Sequence, residues 1–590
     1  MDFRLISRYL GAVSIIIGLS MIFSLPWAFE FAGGSWEAES SGFYGLLLSM
    51  LICFIVGLLL RFFGRTSTDL PLRKEAMAVV GLSWIIATLL ACLPYLFSGT
   101  ERAPGSPMSI ADAIFETESG LSTTGASVFD ELEDPFVVPR TILFWRSTTM
   151  FLGGLGFMLL FVALLGHGSS AKTIVKFERS PLSGANPEIR IRQIATALFR
   201  IYIGLNVVFV ILLKMQGISL FDSLCHSFST IATGGFSTFN LSVGHFAAET
   251  DLNAGLIEYS FVLFMILGGT NLTLLYWCIC GQPKFLLQDI EWRTYLTIIF
   301  AATALIFLFG LFYDELKPFS KDDLQKTAMV SADPGASPLP KSGPLPNSEI
   351  TVKKALSQKA DSIPKSEDAS KSGSAPKAQA GQKSESSQNV SLETSFRVAL
   401  FQVVSLMTTT GFCTAHFETW SGQMLFIIMI ITVIGGCSGS TSGGTKVVRW
   451  LIGAKGIHGE LERSFRPSVV RSPSLGGNVL DKDLIFSVIT FLFFFLCMVL
   501  ITAFLILVVE PDTYWIESGR GIETKTIDVF SISLAAYSTI GPGLGVVGSQ
   551  ENYGALTEFT KFILSLSMLL GRLELYIILV LFTPSFWRQR

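Results

Sequence analysis

A threonine, any residue and a glycine recur four times, in Ser122-Thr123-Thr124-Gly125, Ala232-Thr233-Gly234-Gly235, Thr408-Thr409-Thr410-Gly411 and Ser538-Thr539-Ile540-Gly541. Glycine tolerates backbone angles that aim consecutive carbonyls at one axis. Four such loops around one axis would form a ring of oxygens able to replace the hydration shell of a potassium ion, with threonine adding a hydroxyl or pinning the loop. A single copy would serve equally well as a packing motif, because small residues let helix backbones approach. Recurrence in a fixed context favours the ion site. Counted back from the last glycine, position −2 is threonine in all four copies. Position −13 is aspartate in three (Asp112, Asp222, Asp528; Val398 is the exception), and position −6 is serine in three (Ser119, Ser229, Ser405; Ala535 is the exception). The aspartates suit the N-terminus of a short helix, where the helix dipole favours a carboxylate; the alternative is a direct role in attracting the ion.

A second signal is the run Gly435-Gly436-Cys437-Ser438-Gly439-Ser440-Thr441-Ser442-Gly443-Gly444-Thr445, followed by Lys446. Glycine at this density weakens a helix by up to about 1 kcal/mol per residue. No strand precedes it, which argues against a phosphate loop. A flexible linker is the plain alternative. The favoured reading is an intramembrane loop below the ring, acting as a gate. Arg572 falls near the middle of the last apolar segment, where a charge costs at least about 3 kcal/mol and faces a partner or a cavity. It is expected either in a structural ion pair or facing the pore under the ring, against the gating loop or as a barrier to cations. Glu574 is two residues away and faces elsewhere. Arg146 is expected to snorkel or to pair with an acid, and Asn271 to hydrogen-bond between helices.

These residues need elements to hold them, and the apolar blocks supply them. Half of the 590 residues are hydrophobic and 15% are charged, against about a quarter charged in soluble domains; mean hydropathy is +0.55. Two spans, 5–31 and 43–63, come first. A plan of span, short pore helix with loop, and second span then repeats four times. The units run 76–97, 109–125 and 141–165; 194–213, 220–235 and 256–280; 295–312, 396–411 and 424–448; 484–508, 527–541 and 559–581. The middle pieces are too short to cross and read as re-entrant. The second spans share a mark: Gly153-Gly154, Gly268-Gly269, Gly435-Gly436 and Gly571-Arg572. The expected fold is an all-α polytopic membrane protein of about ten spans, two N-terminal helices plus four pseudo-fourfold repeats around one pore. The domains read as 1–70, 71–168, 190–281, 293–448 and 480–590.

Lysine and arginine concentrate in alternate short loops, which places both termini in the cytoplasm and brings all four Thr-x-Gly loops in from outside. The Ser/Lys/Pro/Ala-rich stretch 317–391 inside the third unit cannot bury a core and reads as a disordered extracytoplasmic insert without a part in conduction. Net charge −3 points to no nucleic acid. The eight cysteines read as small buried hydrophobes rather than a disulfide framework, and the five histidines show no metal spacing. No nucleophile–base or metal constellation marks an enzyme, and no cofactor is expected beyond K⁺ as transported ion, with K⁺ held at the four loops.

The stretches Ser119–Gly125, Asp222–Ser237, Phe401–Phe412 and Gly541–Gly545 resemble the Trk/Ktr/HKT potassium-transporter superfamily, and the two extra N-terminal spans resemble its TrkH-like subunit type. The likeness covers nearly the whole chain. It implies potassium uptake in the cell membrane through one pore per subunit, homodimers, and control by a cytosolic nucleotide-binding (NAD/ATP) ring of the TrkA type. It also implies that the loop 435–446 blocks the pore until that ring moves it. Three features depart from the pattern: Ser538-Thr539 stands where amide side chains are the family's habit, Glu118 adds a carboxylate to the first pore helix, and the insert is long. The competing function is a secondary transporter coupled to H⁺ or Na⁺. Four units of one orientation and the lack of paired intramembrane carboxylates favour the pore.

Overall fold

A computed structural model describes residues 1–65, 73–167, 187–248, 252–320, 323, 391–466, 473–573 and 575–588. Most of the insert, the basic loop 168–186 and Glu574 lie outside the described residues. The described chain is overwhelmingly helical, with two minimal hairpins, Glu101–Ala103 with Ser106–Pro107 and Ser474–Leu475 with Asn478–Val479.

Helix α1 (Phe3–Ser20) starts on the Asp2 side chain, which accepts from Arg4 N and Leu5 N, and runs on as a 3₁₀ stretch, Met21–Ala28. It packs against α2 (Trp36–Phe63). Gly11 sits so close to α2 that a Cβ would lie 2.6 Å from the Gly57 carbonyl oxygen. The rest of the chain alternates long helices with short ones. In order these are α3 (Arg73–Ala91), α4 (Leu93–Phe97), the short α5 (Ile110–Leu121), α6 (Arg140–His167), α7 (Pro187–Met215) and the short α8 (Leu220–Ile231). Next come α9 (Ala254–Gly268), α10 (Leu272–Ile279), α11 (Ile290–Tyr313), the short α12 (Leu392–Met407), α13 (Gly422–Ile434) and α14 (Val447–Phe465). Last are α15 (Lys482–Val509), the short α16 (Lys525–Ser538), α17 (Glu558–Arg572) and α18 (Tyr576–Leu581).

Among the described residues, six helical stretches are long and apolar enough to cross a membrane, seven if α9 and α10 count as one bent span. Large apolar side chains on these helices face outward, among them Phe62, Phe300, Phe312, Phe493 and Phe504, as helices in lipid require. Two segments expected as continuous spans are broken, and the third unit's second span is interrupted where the glycine-rich loop was expected. α9 and α10 meet at 105°; Gly268-Gly269 weakens the helix there and the Asn271 side chain caps α10 by accepting from Thr273 N. α13 stops at Gly435, whose φ is +74°. α17 ends at Arg572, and Leu575 (φ +53°) precedes α18. Five cysteines are buried, but Cys278 and Cys497 are half-buried and Cys280 is exposed, because it follows the end of α10 at the turn before Gly281.

Candidate functional site

Three of the four short helices that lead into the Thr-x-Gly loops are capped by a side chain at their start. Ser109 and Asp112 form a reciprocal capping box on α5, Ser219 Oγ accepts from Asp222 N (3.0 Å) on α8, and Ser391 Oγ accepts from Thr394 N (3.1 Å) on α12. Asp528 lies in the first turn of α16 and accepts from Trp515 Nε1 at 3.1 Å. The aspartates are therefore helix-start groups, and Asp112 also pairs with buried Lys561 of α17 at 2.6 Å.

The four helix ends close in one way. The carbonyl at position −6 accepts from the N–H at −1: Ser119 from Thr124, Ser229 from Gly234 and Ser405 from Thr410 at 2.8 Å, and Ala535 from Ile540 at 2.9 Å. The carbonyl at −5 accepts from the threonine N–H at −2, at 3.1, 3.0, 3.1 and 3.2 Å in chain order. This double closure puts the −2 residue in the left-handed region, a place that glycine usually takes. Here Thr123, Thr233, Thr409 and Thr539 occupy it, with φ of 55°, 54°, 58° and 51°. A β-branched residue in that region is strained by about 1–2 kcal/mol, and the strain occurs four times at equivalent places.

The glycines that follow bring the loops together in a closed cycle. A Cβ on Gly125 would lie 2.0 Å from Gly234 O, one on Gly235 2.1 Å from Thr410 O, one on Gly411 3.1 Å from Gly541 N, and one on Gly541 2.6 Å from Gly125 O. The first loop thus abuts the second, the second the third, the third the fourth, and the fourth the first. Gly125, Gly235 and Gly411 have φ of 85°, 80° and 84°. Gly541 does not take a positive φ; it precedes Pro542, which favours extended backbone before it.

Within the ring the loops differ. Ser122 and Thr124 share a hydroxyl–hydroxyl bond of 2.7 Å, as do Thr408 and Thr410 at 2.8 Å. The second loop has Ala232 and Gly234 at these places and the fourth has Ser538 and Ile540, so the hydroxyl pairs belong to opposite loops. The second loop, without hydroxyls at these places, therefore departs from the first and third. The Gly541 carbonyl also accepts from Tyr553 Oη at 2.8 Å.

The glycines marking the second helices meet the ring from behind. A Cβ on Gly153 would lie 2.0 Å from Leu121 O, and one on Gly571 2.3 Å from Tyr537 O; both carbonyls are at position −4. Gly268 approaches the matching Ile231 carbonyl, at 3.4 Å. In the third unit the helix instead stops, and Gly435–Lys446 crosses to other loops. Gly443 N donates to Thr409 Oγ1 at 2.6 Å, and a Cβ on Gly443 would strike Thr539 Oγ1 and lie 2.7 Å from Ser538 O. Thr441 Oγ1 lies 2.8 Å from Ile231 O and 3.0 Å from Gly268 O. The segment therefore touches the second, third and fourth loops on their helix side. Within it Ser440 Oγ donates to Cys437 O (2.6 Å), Ser442 Oγ accepts from Gly436 N (3.1 Å), and Thr445 Oγ1 donates to Val433 O (2.6 Å). Gly439 and Gly444 are left-handed, and Lys446, at φ +74°, turns its ammonium back onto the Ser442 carbonyl. Arg572, buried at the end of α17, donates from Nη1 to Thr441 O at 2.8 Å.

Residues 46–313 and 375–589 match the family described as TrkH, cation transport protein. The chain belongs to that family. Over the full length of both proteins it is 28% identical to the Trk system potassium uptake protein TrkH of Salmonella typhimurium and 29% identical to that of Halomonas elongata. It also resembles the crystal structure of the potassium transporter TrkH from Vibrio parahaemolyticus, with a TM-score of 0.72, 25% identity and complete coverage of both chains. The chain is a membrane protein rich in apolar helices.

One residue beside the ring, Glu116, has no motif in the sequence to mark it. Glu116 is buried and pairs with Arg146 Nε at 2.5 Å, while also accepting from Val128 N at 2.9 Å. Arg146 in turn donates to Ser237 O (2.8 Å) and lies 3.5 Å over the Phe236 ring. This pair ties the segments that leave the first two loops. Of the two expectations for Arg146, snorkelling or pairing with an acid, the structure shows the pairing. Glu118 is buried and accepts from the Thr88 hydroxyl of α3.

Proposed function

We propose that this chain takes up potassium through a gated pore in the cell membrane. Its filter is the ring of Ser122–Gly125, Ala232–Gly235, Thr408–Gly411 and Ser538–Gly541. The observation that carries this reading is the closed cycle of glycine contacts, in which each loop's glycine approaches the backbone of the next. Loops in such a cycle would surround one axis, and their carbonyls and hydroxyls are the ligand set a dehydrated potassium ion needs. Left-handed threonine at four equivalent positions supports one conformation repeated around that axis. The names of the relatives, potassium uptake proteins along their whole length, support the choice of ion.

The gate is the segment 435–446 with Arg572. It lies against the helix side of three of the four loops, so a cation leaving the ring meets a glycine-rich strand and a buried guanidinium. Four units of span, pore helix and span, ten spans with cytoplasmic termini, a homodimer and a TrkA-type cytosolic ring complete the proposal. Flux into proteoliposomes tests it, with K⁺, Rb⁺, Na⁺ and Li⁺ compared in the absence of any proton or sodium gradient. Potassium-selective flux is the expected result. Flux that needs a proton or sodium gradient would establish the coupled transporter instead, and equal passage of Na⁺ would remove the filter.

A further inference from the structure

We infer that Glu291 is the latch that holds the glycine-rich segment closed; the inference rests on the gating role proposed for 435–446. Glu291 is the second residue of α11, the first long helix of the third unit, and is nearly buried. It is 147 residues from its partner Ser438 in sequence. Its carboxylate accepts from Ser438 N at 2.7 Å and from Ser438 Oγ at 2.8 Å on one flank of the segment, and from Val448 N at 3.2 Å on the other. One carboxylate thus spans both ends of the strand that crosses the ring.

Glu291 lies in the first turn of α11, and Val448, whose N–H it accepts, lies in the first turn of α14. The positive end of a helix dipole favours a carboxylate at such a place. The Asp289 side chain already caps α11 through Trp292 N, so Glu291 is not needed for that task. The bonds to the segment are charge-assisted and stronger than neutral ones. Other anchors hold the middle and the C-terminal flank: Arg572 and the hydroxyls of Thr409 and Thr441 grip the middle, and Thr445 bonds to Val433 O, Arg449 and Trp450. On the N-terminal flank Cys437 N donates to Gly269 O (3.0 Å) and Leu272 N to Gly439 O (3.2 Å), both neutral backbone bonds. The glycines give the segment no stiffness of its own. Glu291 is the carboxylate that bonds to both flanks at once. Glu291 is a positioning residue: it touches the segment, not the ion.

The experiment is rubidium tracer uptake by proteoliposomes containing the full chain alone, driven by a potassium gradient. Glu291→Ala should raise basal uptake about tenfold, the scale of one lost charge-assisted hydrogen bond on a two-state equilibrium. Glu291→Gln, which keeps an acceptor and loses the charge, should give an intermediate rise, and Ser438→Ala a smaller one. The preference for Rb⁺ over Na⁺ should stay unchanged in all three, since the ring is untouched; a merely misfolded pore would lose it. Excision of residues 439–442 tests the gating reading separately. If excision raises uptake and the Glu291 and Ser438 variants do not, the latch is overturned and the gate stands. If excision also leaves uptake unchanged, both are overturned.

Discussion

At the scale of single residues, the chemistry rests on close approach. Gly235 has no room for a side chain, since a Cβ would lie 2.1 Å from Thr410 O, and its φ of 80° strains any replacement. Gly235→Ala should therefore open the ring between the second and third loops, costing about 1–2 kcal/mol from backbone strain alone. The expected result is loss of discrimination between K⁺ and Na⁺ in a flux competition; retained discrimination would take Gly235 out of the filter. Arg572 donates to Thr441 O from the end of α17. Arg572→Ala should raise basal potassium flux with selectivity intact, and unchanged flux and gating would exclude it from the gate. Buried Glu116 and Arg146 make a pair whose halves cannot stand alone. Glu116→Gln or Arg146→Ala should each cost about 3–5 kcal/mol, read as a lower Tm in detergent, and the double variant should lose less than the sum of the two.

At the scale of elements, a clasp joins the start of the long insert to the segments leaving the third and fourth loops. Phe319 N donates to Thr414 O at 3.0 Å, and Phe319 meets the His416 ring edge-on at 4.7 Å. His416 lies between Asp323 (3.8 Å) and Glu418 (3.5 Å), and Glu418 accepts from Ser549 N and Oγ at 3.2 and 3.0 Å. Burial disfavours the charged imidazole of His416, but the two carboxylates outweigh it and hold its pKa above the ordinary 6.5. Burial likewise pushes Glu418 up, but bonds from His416 and Ser549 outweigh it and hold its pKa below the ordinary 4.5. The contribution of His416 is complete below pH 6.5 and is lost as pH rises through its folded value. That of Glu418 is complete above pH 4.5 and is lost as pH falls through its folded value. The clasp is thus tightest between pH 4.5 and 6.5. A Tm profile should fall above that window in the native chain and flatten there in His416→Ala; an unaltered profile in the variant would refute the clasp.

What the sequence displayed at this scale was local. Half-length apolar segments, their serine and aspartate starts and their Thr-x-Gly ends are written within about a dozen residues, where helix capping and glycine geometry act. The bonds between Glu291 and Ser438, 147 residues apart, and between Asp112 and Lys561, 449 apart, had no sign in either neighbourhood. A carboxylate inside an apolar block announces a partner but not which one. The left-handed threonines were equally hidden, because local preference would have put glycine there.

At the scale of the whole molecule, described residues at either border of the long insert are held in place, Phe319 and Asp323 by the clasp and Ser391 by its cap on α12. Its composition buries no core. Replacing residues 330–385 by a short Gly/Ser linker should leave potassium flux and selectivity within about twofold of the native chain; a larger loss would give the insert a part in conduction.

The cycle of glycine contacts has a consequence for grafting. Each loop's fit is specified half by its own residues and half by those of the next loop. A loop imported alone from a relative brings two seams into the ring, one on each side. Exchanging two adjacent loops leaves the number of seams at two but carries one native junction along intact. Only wholesale exchange of all four has none. The ring is inherited as a set, and piecemeal swaps should be tolerated in proportion to the junctions they preserve.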